Sequence, residues 1–392
     1  MKIRRFLSAM VLSSAIAGTA QASSNHQGIA EASNRFGAKS LHLLLKSQSQ
    51  KNVIYSPLSA HLALSLLANG ASGPTADQLI ATLQLPKNDL LAANHDLKGL
   101  MQELTSRPKG ELTLLLANGV WADPGVPILP SYIKTAKEVF GAEAAPLRSA
   151  QQINDWAAEH TNGLIKQVID DIGGIEMILA NATYFKADWT QPFGSARLQA
   201  FNGLGSKVST AELMTKKETT KYTVSQGRYE AVEIPYGPQK LASMILIMPT
   251  VPSQFAAMQE QMDEVLMSKI LQDLAAAEAT RGEITMPKFE FKTSYTMNQD
   301  LQTLGMVDAF SGAADFSKMS EVGLKVSFVK QDAVIKVHEK GTEAAAVTTI
   351  GMEKTSIPRP PTFMFVADRP FIFAIRDNQS GVILFAGQVV QP

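Results

Sequence analysis

The chain reads as an α+β protein with large mixed or antiparallel sheets, and three observations lead there. Apolar residues in the first half recur at helical spacing. The second half shifts to apolar, strand-like runs. No strand–helix–strand alternation links the two, which excludes a doubly wound parallel sheet.

The elements follow in chain order. Lys2, Arg4 and Arg5 form a basic start, residues 6–20 are apolar, and Ala20-Gln21-Ala22 supplies the small residues a signal peptidase accepts. Residues 1–22 are therefore expected to be a signal peptide, with the mature chain starting at Ser23. A membrane anchor would need ~20 uninterrupted apolar residues, and Ser8, Ser13 and Ser14 break this run. The expected location is secreted or periplasmic. Residues 29–46 carry helical periodicity. Ser56-Pro57 opens a second helix that Gly70 stops, with Ser as cap and Pro at the first position. Leu58, Leu62, Leu64, Leu66 and Leu67 surround that helix, so it should be buried. Ile153, Trp156, His160, Leu164 and Val168 mark an amphipathic helix.

Residues 177–185 form a nearly continuous apolar run, as expected of a strand covered on both faces. Further strands are expected at 231–236, 241–248, 283–291, 324–329, 363–366, 371–375 and 382–389. Helices are expected at 255–277 and 294–304. No linker or repeat divides residues 23–392, which are read as one domain.

Composition narrows the function. Lys+Arg and Asp+Glu are both 36 in 392 residues, so the basic footprint of a nucleic-acid binder is missing. The absence of cysteine excludes disulfides, Cys-metal sites and a thiol nucleophile. The six histidines are scattered, and His338-Glu339 lacks the second His of a zinc-protease helix. Ser327 and Lys330 fit a Ser-x-x-Lys hydrolase pattern, but that chemistry needs a helix and this segment reads as a strand. The sequon Asn181-Ala182-Thr183 falls in a buried strand. No enzyme, cofactor or metal is expected.

Residues 339–356 stand out. They precede Pro358, Pro360 and Pro361 and should begin as an exposed loop, yet their alternate positions sort like a strand. Thr342, Ala344, Ala346, Thr348, Ile350 and Met352 form a charge-free file, while Glu343 and Glu353 lie on the other. Pattern alone leaves three readings open, and a plain loop or a short alanine-rich helix stands ahead of a segment able to enter a sheet.

This stretch resembles the reactive-loop hinge of the serpin family, Glu-x-Gly-Thr-Glu-Ala-Ala. Asn52-Val53-Ile54-Tyr55-Ser56-Pro57-Leu58-Ser59, the run from Leu179 to Trp189, Ala314-Asp315-Phe316-Ser317 and Ala367-Asp368-Arg369-Pro370-Phe371 resemble other motifs of that family, in the family's order. The resemblance implies three sheets, the largest usually five-stranded, eight or nine helices and an exposed reactive-centre loop, here about 339–361. It implies a suicide-substrate inhibitor of serine proteases, and sometimes of cysteine proteases. The protease cleaves the loop and is trapped as an acyl-enzyme when the hinge side inserts into the main sheet. By resemblance Glu339, Gly341, Thr342, Glu343, Ala344, Ala345, Ala346 and Val347 form the hinge. Ser56 and Asn181 belong to a shutter beneath the opening sheet, and Trp189 stands at the sheet top. Gln331 stands where the family often has His; an amide still donates and accepts but cannot titrate.

The family's spacing places the reactive bond at Thr355-Ser356, with Lys354-Thr355 as the alternative. The expected partner is a serine protease, elastase-, subtilisin- or trypsin-like, bound by a bacterial-like exported monomer. Residues 94–107 offer only Lys98 and Arg107, so no heparin site is expected. The competing function is a non-inhibitory serpin-fold binding or chaperone-like protein.

Overall fold

The structure is a computed structural model and describes residues 26–86, 89–107, 112–342 and 360–392. Its first part holds α1 (Gln27–Ser47), β1 (Val53–Tyr55), α2 (Pro57–Gly70), α3 (Gly73–Leu83), α4 (Leu90–Thr105), β2 (Leu112–Ala122), α5 (Pro130–Phe140), β3 (Glu143–Pro146) and α6 (Ala150–His160). The middle holds β4 (Met177–Asp188), β5 (Arg197–Asn202), β6 (Val208–Ser225), β7 (Tyr229–Tyr236), β8 (Ala242–Met248), α7 (Phe255–Gln261) and α8 (Glu264–Ala276). Then follow β9 (Ala279–Pro287), β10 (Phe289–Thr296), α9 (Asn298–Thr303), β11 (Phe328–His338), β12 (Gly341–Thr342), β13 (Phe363–Val366), β14 (Phe371–Asp377) and β15 (Ile383–Val389).

Three sheets result. The first runs β10-β11-β12-β4-β2-β3 and is mixed, because β11 lies parallel to β4 while β2 and β10 run antiparallel to their neighbours β4 and β11. It has five full strands, with the two-residue β12 wedged between two of them. The second, β1-β15-β14-β8-β7-β6, is antiparallel throughout. The third, β5-β6-β9-β13, shares β6 with the second. Nine α-helices surround these sheets among the described residues, so the α+β class and three-sheet architecture are as expected.

Helix α2 sits at the centre because almost all of its residues are apolar or small, and its buried His61 donates a ring N–H to the Leu83 carbonyl. Ser56 caps it by accepting from the Ser59 N–H, and Pro57 fills the first position, where no N–H is needed. Helix α6 covers the other face of the first sheet. Its Trp156 meets Trp121 of β2 edge-to-face at 5.0 Å, over Ile178, Ala180 and Ala182 of β4.

Several boundaries differ from the sequence reading. Helix α6 stops at His160, because Asn162 and Gly163 adopt positive φ (51° and 79°). Leu164 and Val168 therefore lie in the connection to β4, where Val168 joins Trp156 in the apolar cluster on that side of the sheet. The 255–277 segment is two helices, with Asp263 capping the second through the Leu266 N–H. The 283–291 run splits at Lys288 into β9 and β10, and β10 continues through 294–296 before α9 begins. Only Phe328 and Val329 of the 324–329 run are strand, the strand itself extending to His338. The first half also contains the long strand β2.

Candidate functional site

The parallel pair β4–β11 forms a seam that is closed below and open above. Residues 328–333 pair directly with residues 178–183, ending at Ala333 opposite Thr183. At the upper end β12 separates the two strands. Gly341 lies opposite Asp188 and Thr342 opposite Ala187 on one side, with His338 and Val337 on the other. The first two residues of the expected hinge after Lys340 already occupy strand positions in the sheet. A Cβ on Gly341 would stand 2.3 Å from the Ala187 carbonyl oxygen, so only glycine fits there.

Aromatic and polar groups grip this entry point. Thr342 is 2% exposed, and its hydroxyl lies 2.6 Å from that of Tyr236. Burial pushes the Tyr236 phenol up, so it stays a neutral hydrogen-bond partner. Trp189 stacks on Tyr236 at 4.3 Å, donates its indole N–H to His338 O (2.9 Å) and its backbone N–H to Lys340 O (2.8 Å). The Phe193 N–H donates to Glu339 O at 2.8 Å. The Glu339 carboxylate accepts from the Ala196 N–H (3.4 Å) and pairs with Lys288 at 3.5 Å, which also pairs with Glu212 at 3.4 Å. Burial alone would raise the Glu339 carboxyl. The N–H groups of Glu339 and Ala196, together with Lys288, outweigh it and hold the carboxyl below its ordinary range.

Beneath the seam, α2 presents its N-terminus to both strands. Gln331 accepts from Ser56 N–H (2.8 Å) and donates to Ser56 O (3.0 Å) and, across the seam, to Asn181 Oδ1 (3.2 Å). Asn181 donates to Asn118 Oδ1 (2.7 Å) and to the Ser59 hydroxyl, which Thr183 also reaches at 2.8 Å. Ser56 Oγ donates to Leu384 O at 2.7 Å and ties the cluster to β15. The structure thus brings Ser56, Asn181 and Gln331 together. It adds Asn118 and Thr183, which single polar letters inside apolar strands did not flag. Glu343, Ala344, Ala345, Ala346, Val347, Lys354, Thr355 and Ser356 lie outside the described residues.

The Ser-x-x-Lys pattern is not a catalytic pair. Ser327 Oγ accepts from Glu176 N–H at 2.9 Å, while Lys330 donates to Val168 O. Three residues apart along an extended chain, the two side chains point to opposite faces. Arg107 is turned inward, pairing with Asp377 at 2.7 Å.

One seam residue has a pH signature of its own. Asp332, opposite Ala182, is 2% exposed, and neither carboxylate oxygen accepts a hydrogen bond of ordinary geometry. Burial raises its pKa, against the opposing pull of Lys292 (3.3 Å) and Lys330. A raised carboxyl lowers stability once the unfolded chain ionises near the ordinary 3.8, a penalty that grows until the folded group ionises too. Glu339 acts in the opposite sense: its contribution is complete above the ordinary 4.5 and is lost as pH falls through its depressed folded value. Asp332→Asn should therefore melt higher than the parent at neutral pH. The gap should close below about pH 3.8. Melting curves from pH 3 to 8 check this, and an equal gap at every pH would contradict it.

Comparison with known proteins agrees with this arrangement. The model of the family described as serpin (serine protease inhibitor) matches residues 31–392. Serpin-Z1C of Triticum aestivum is 33% identical over 366 residues, covering 87% of this chain and 90% of that protein. The crystal structure of the thermophilic serpin tengpin in its native state superposes with a TM-score of 0.83 at 27% identity, covering 93% of this chain and 94% of that one. Human thyroxine-binding globulin, crystallised with its ligand, has a TM-score of 0.84 at 24% identity, covering 94% and 99%. With a match that runs through both faces of the seam, the cluster beneath it and all three sheets, this chain belongs to the serpin family.

Proposed function

We propose that this protein inhibits serine proteases as a suicide substrate, by inserting its cleaved loop between β4 and β11. The observation that carries the reading is β12: Gly341 and Thr342 sit in strand register between two strands that pair directly below them. A loop anchored there has one continuation that satisfies its backbone groups, down the seam between the same two strands. Its charge-free file from Thr342 to Met352 can line the buried face. Only Glu343 is charged between Gly341 and Thr348, on the outward file, and no proline interrupts entry.

The reactive bond is Thr355-Ser356, used by elastase- or subtilisin-like enzymes with small pockets. Trypsin-like enzymes would take Lys354-Thr355. Pro358 and Pro360 disfavour cleavage after Ile357 and Arg359. The protein acts as a monomer and is exported, with residues 1–22 removed. These assignments rest on the sequence patterns.

Mixing the protein with elastase-, subtilisin- and trypsin-like proteases tests the reading. The expected result is an SDS-resistant complex and a released C-terminal fragment beginning at Ser356, or at Thr355 with the trypsin-like enzyme. Cleavage by every enzyme without a complex would instead favour a non-inhibitory binding protein. A fragment starting before Met352 would reject both bonds.

A further inference from the structure

Two charged residues of β6 pack against the segment that grips the hinge. Lys216 and Glu218 are 3% and 4% exposed and form an ion pair of 2.6 Å, on the same face of the strand. The Lys216 ammonium lies 4.7 Å from the Phe193 ring centroid and 5.4 Å from that of Trp189, and donates to Gln191 O at 3.0 Å. Burial lowers its pKa, with Glu218 opposing and Lys240 adding to the shift.

Such a pair is a poor source of stability. Desolvating two charges offsets most of their attraction, and an apolar pair of similar volume is commonly as stable. What an apolar pair would not supply is a cation facing two rings and a donor aimed at a loop carbonyl. Those contacts fall on residues 189–193. That segment holds the hinge through two backbone bonds, Trp189 N–H to Lys340 O and Phe193 N–H to Glu339 O.

We propose that Lys216, held in place by Glu218, is a positioning residue that fixes residues 189–193 against the hinge and so sets how readily the loop beyond Thr342 enters the sheet. Its effect on loop entry rests on the insertion reading; its hold on residues 189–193 does not.

Hydrogen exchange at the Trp189 and Phe193 amides tests it in the full chain. The double variant Lys216→Met/Glu218→Met leaves no unpaired buried charge and should fold with a melting point near the parent's. Its protection at those two amides should fall by roughly tenfold or more, with the β14–β15 amides unchanged. Lys216→Arg, which keeps the cation, should retain the parent's protection. In a protease assay the double variant should be cleaved more often per complex formed. Protection lost in both variants, or in neither, overturns the positioning role. If the parent traps no protease but the double variant still loses protection, the inhibitory reading fails and the positioning role stands.

Discussion

Cutting the chain once between Val347 and Ser356 with a protease it does not trap should raise its melting midpoint by roughly 20 °C or more. Cleavage frees the hinge side to continue the path begun by Gly341 and Thr342. Each inserted residue would exchange water for strand partners on both β4 and β11. About ten new backbone hydrogen bonds at a net ~0.5–1.5 kcal/mol each rival the whole stability of an ordinary domain. The lower seam must part first, breaking the direct pairing of residues 328–333 with 178–183 and the Gln331–Asn181 bond. Insertion replaces that single ladder with two. Melts before and after nicking measure the difference; an unchanged or lower midpoint would defeat the insertion model.

The second large effect is expected of Thr342→Arg. The native side chain is buried, with its hydroxyl on Tyr236. A guanidinium in that place would lie beside stacked aromatic rings without a carboxylate partner, at a cost of several kcal/mol. Expelled from the sheet, the guanidinium would have to be buried again before the loop could follow, so insertion would slow until hydrolysis of the acyl-enzyme wins. The variant should be cleaved and released as a plain substrate, its three sheets intact by circular dichroism. Trapping at the parent's stoichiometry would show that Thr342 is not the entry residue. Glu343→Ala, on the outward file, should change little.

Much of this site could be read in the sequence, for physical reasons that differ from place to place. The Ser56 cap and Pro57 announce α2 because a helix start constrains both residues. The seam strand β4 was legible as an apolar run covered on both faces. The long strand β6 was not, since the charges at Lys216, Lys217, Glu218 and Lys221 leave it no apolar run, and Lys216 is covered by the Trp189 and Phe193 rings from outside the strand. Strand β2 was missed because its run Leu114-Leu115-Leu116 lacks the alternation that marks a half-buried strand. Val168 kept helical phase past the end of α6 because the connection packs, through Ile165 and Val168, into the same apolar cluster as the helix. The grip on the hinge joins residues more than 100 positions apart, such as Tyr236 and Thr342. No local pattern encodes such a contact.

Trapping requires the β4–β11 seam to open, and a reversible lock across it shows whether it does. Ala180 and Lys330 are register partners across the seam, where neighbouring strands stand ~4.8 Å apart, within reach of a disulfide. The chain has no cysteine of its own, so the one intramolecular bridge open to Ala180→Cys/Lys330→Cys is the intended one, and oxidation of dilute protein keeps it monomeric. Oxidised, this variant should be cleaved by the target protease without forming a complex and without a gain in melting temperature. Reduced, it should recover both. An oxidised variant that still traps protease at the parent's stoichiometry would show that the seam need not open.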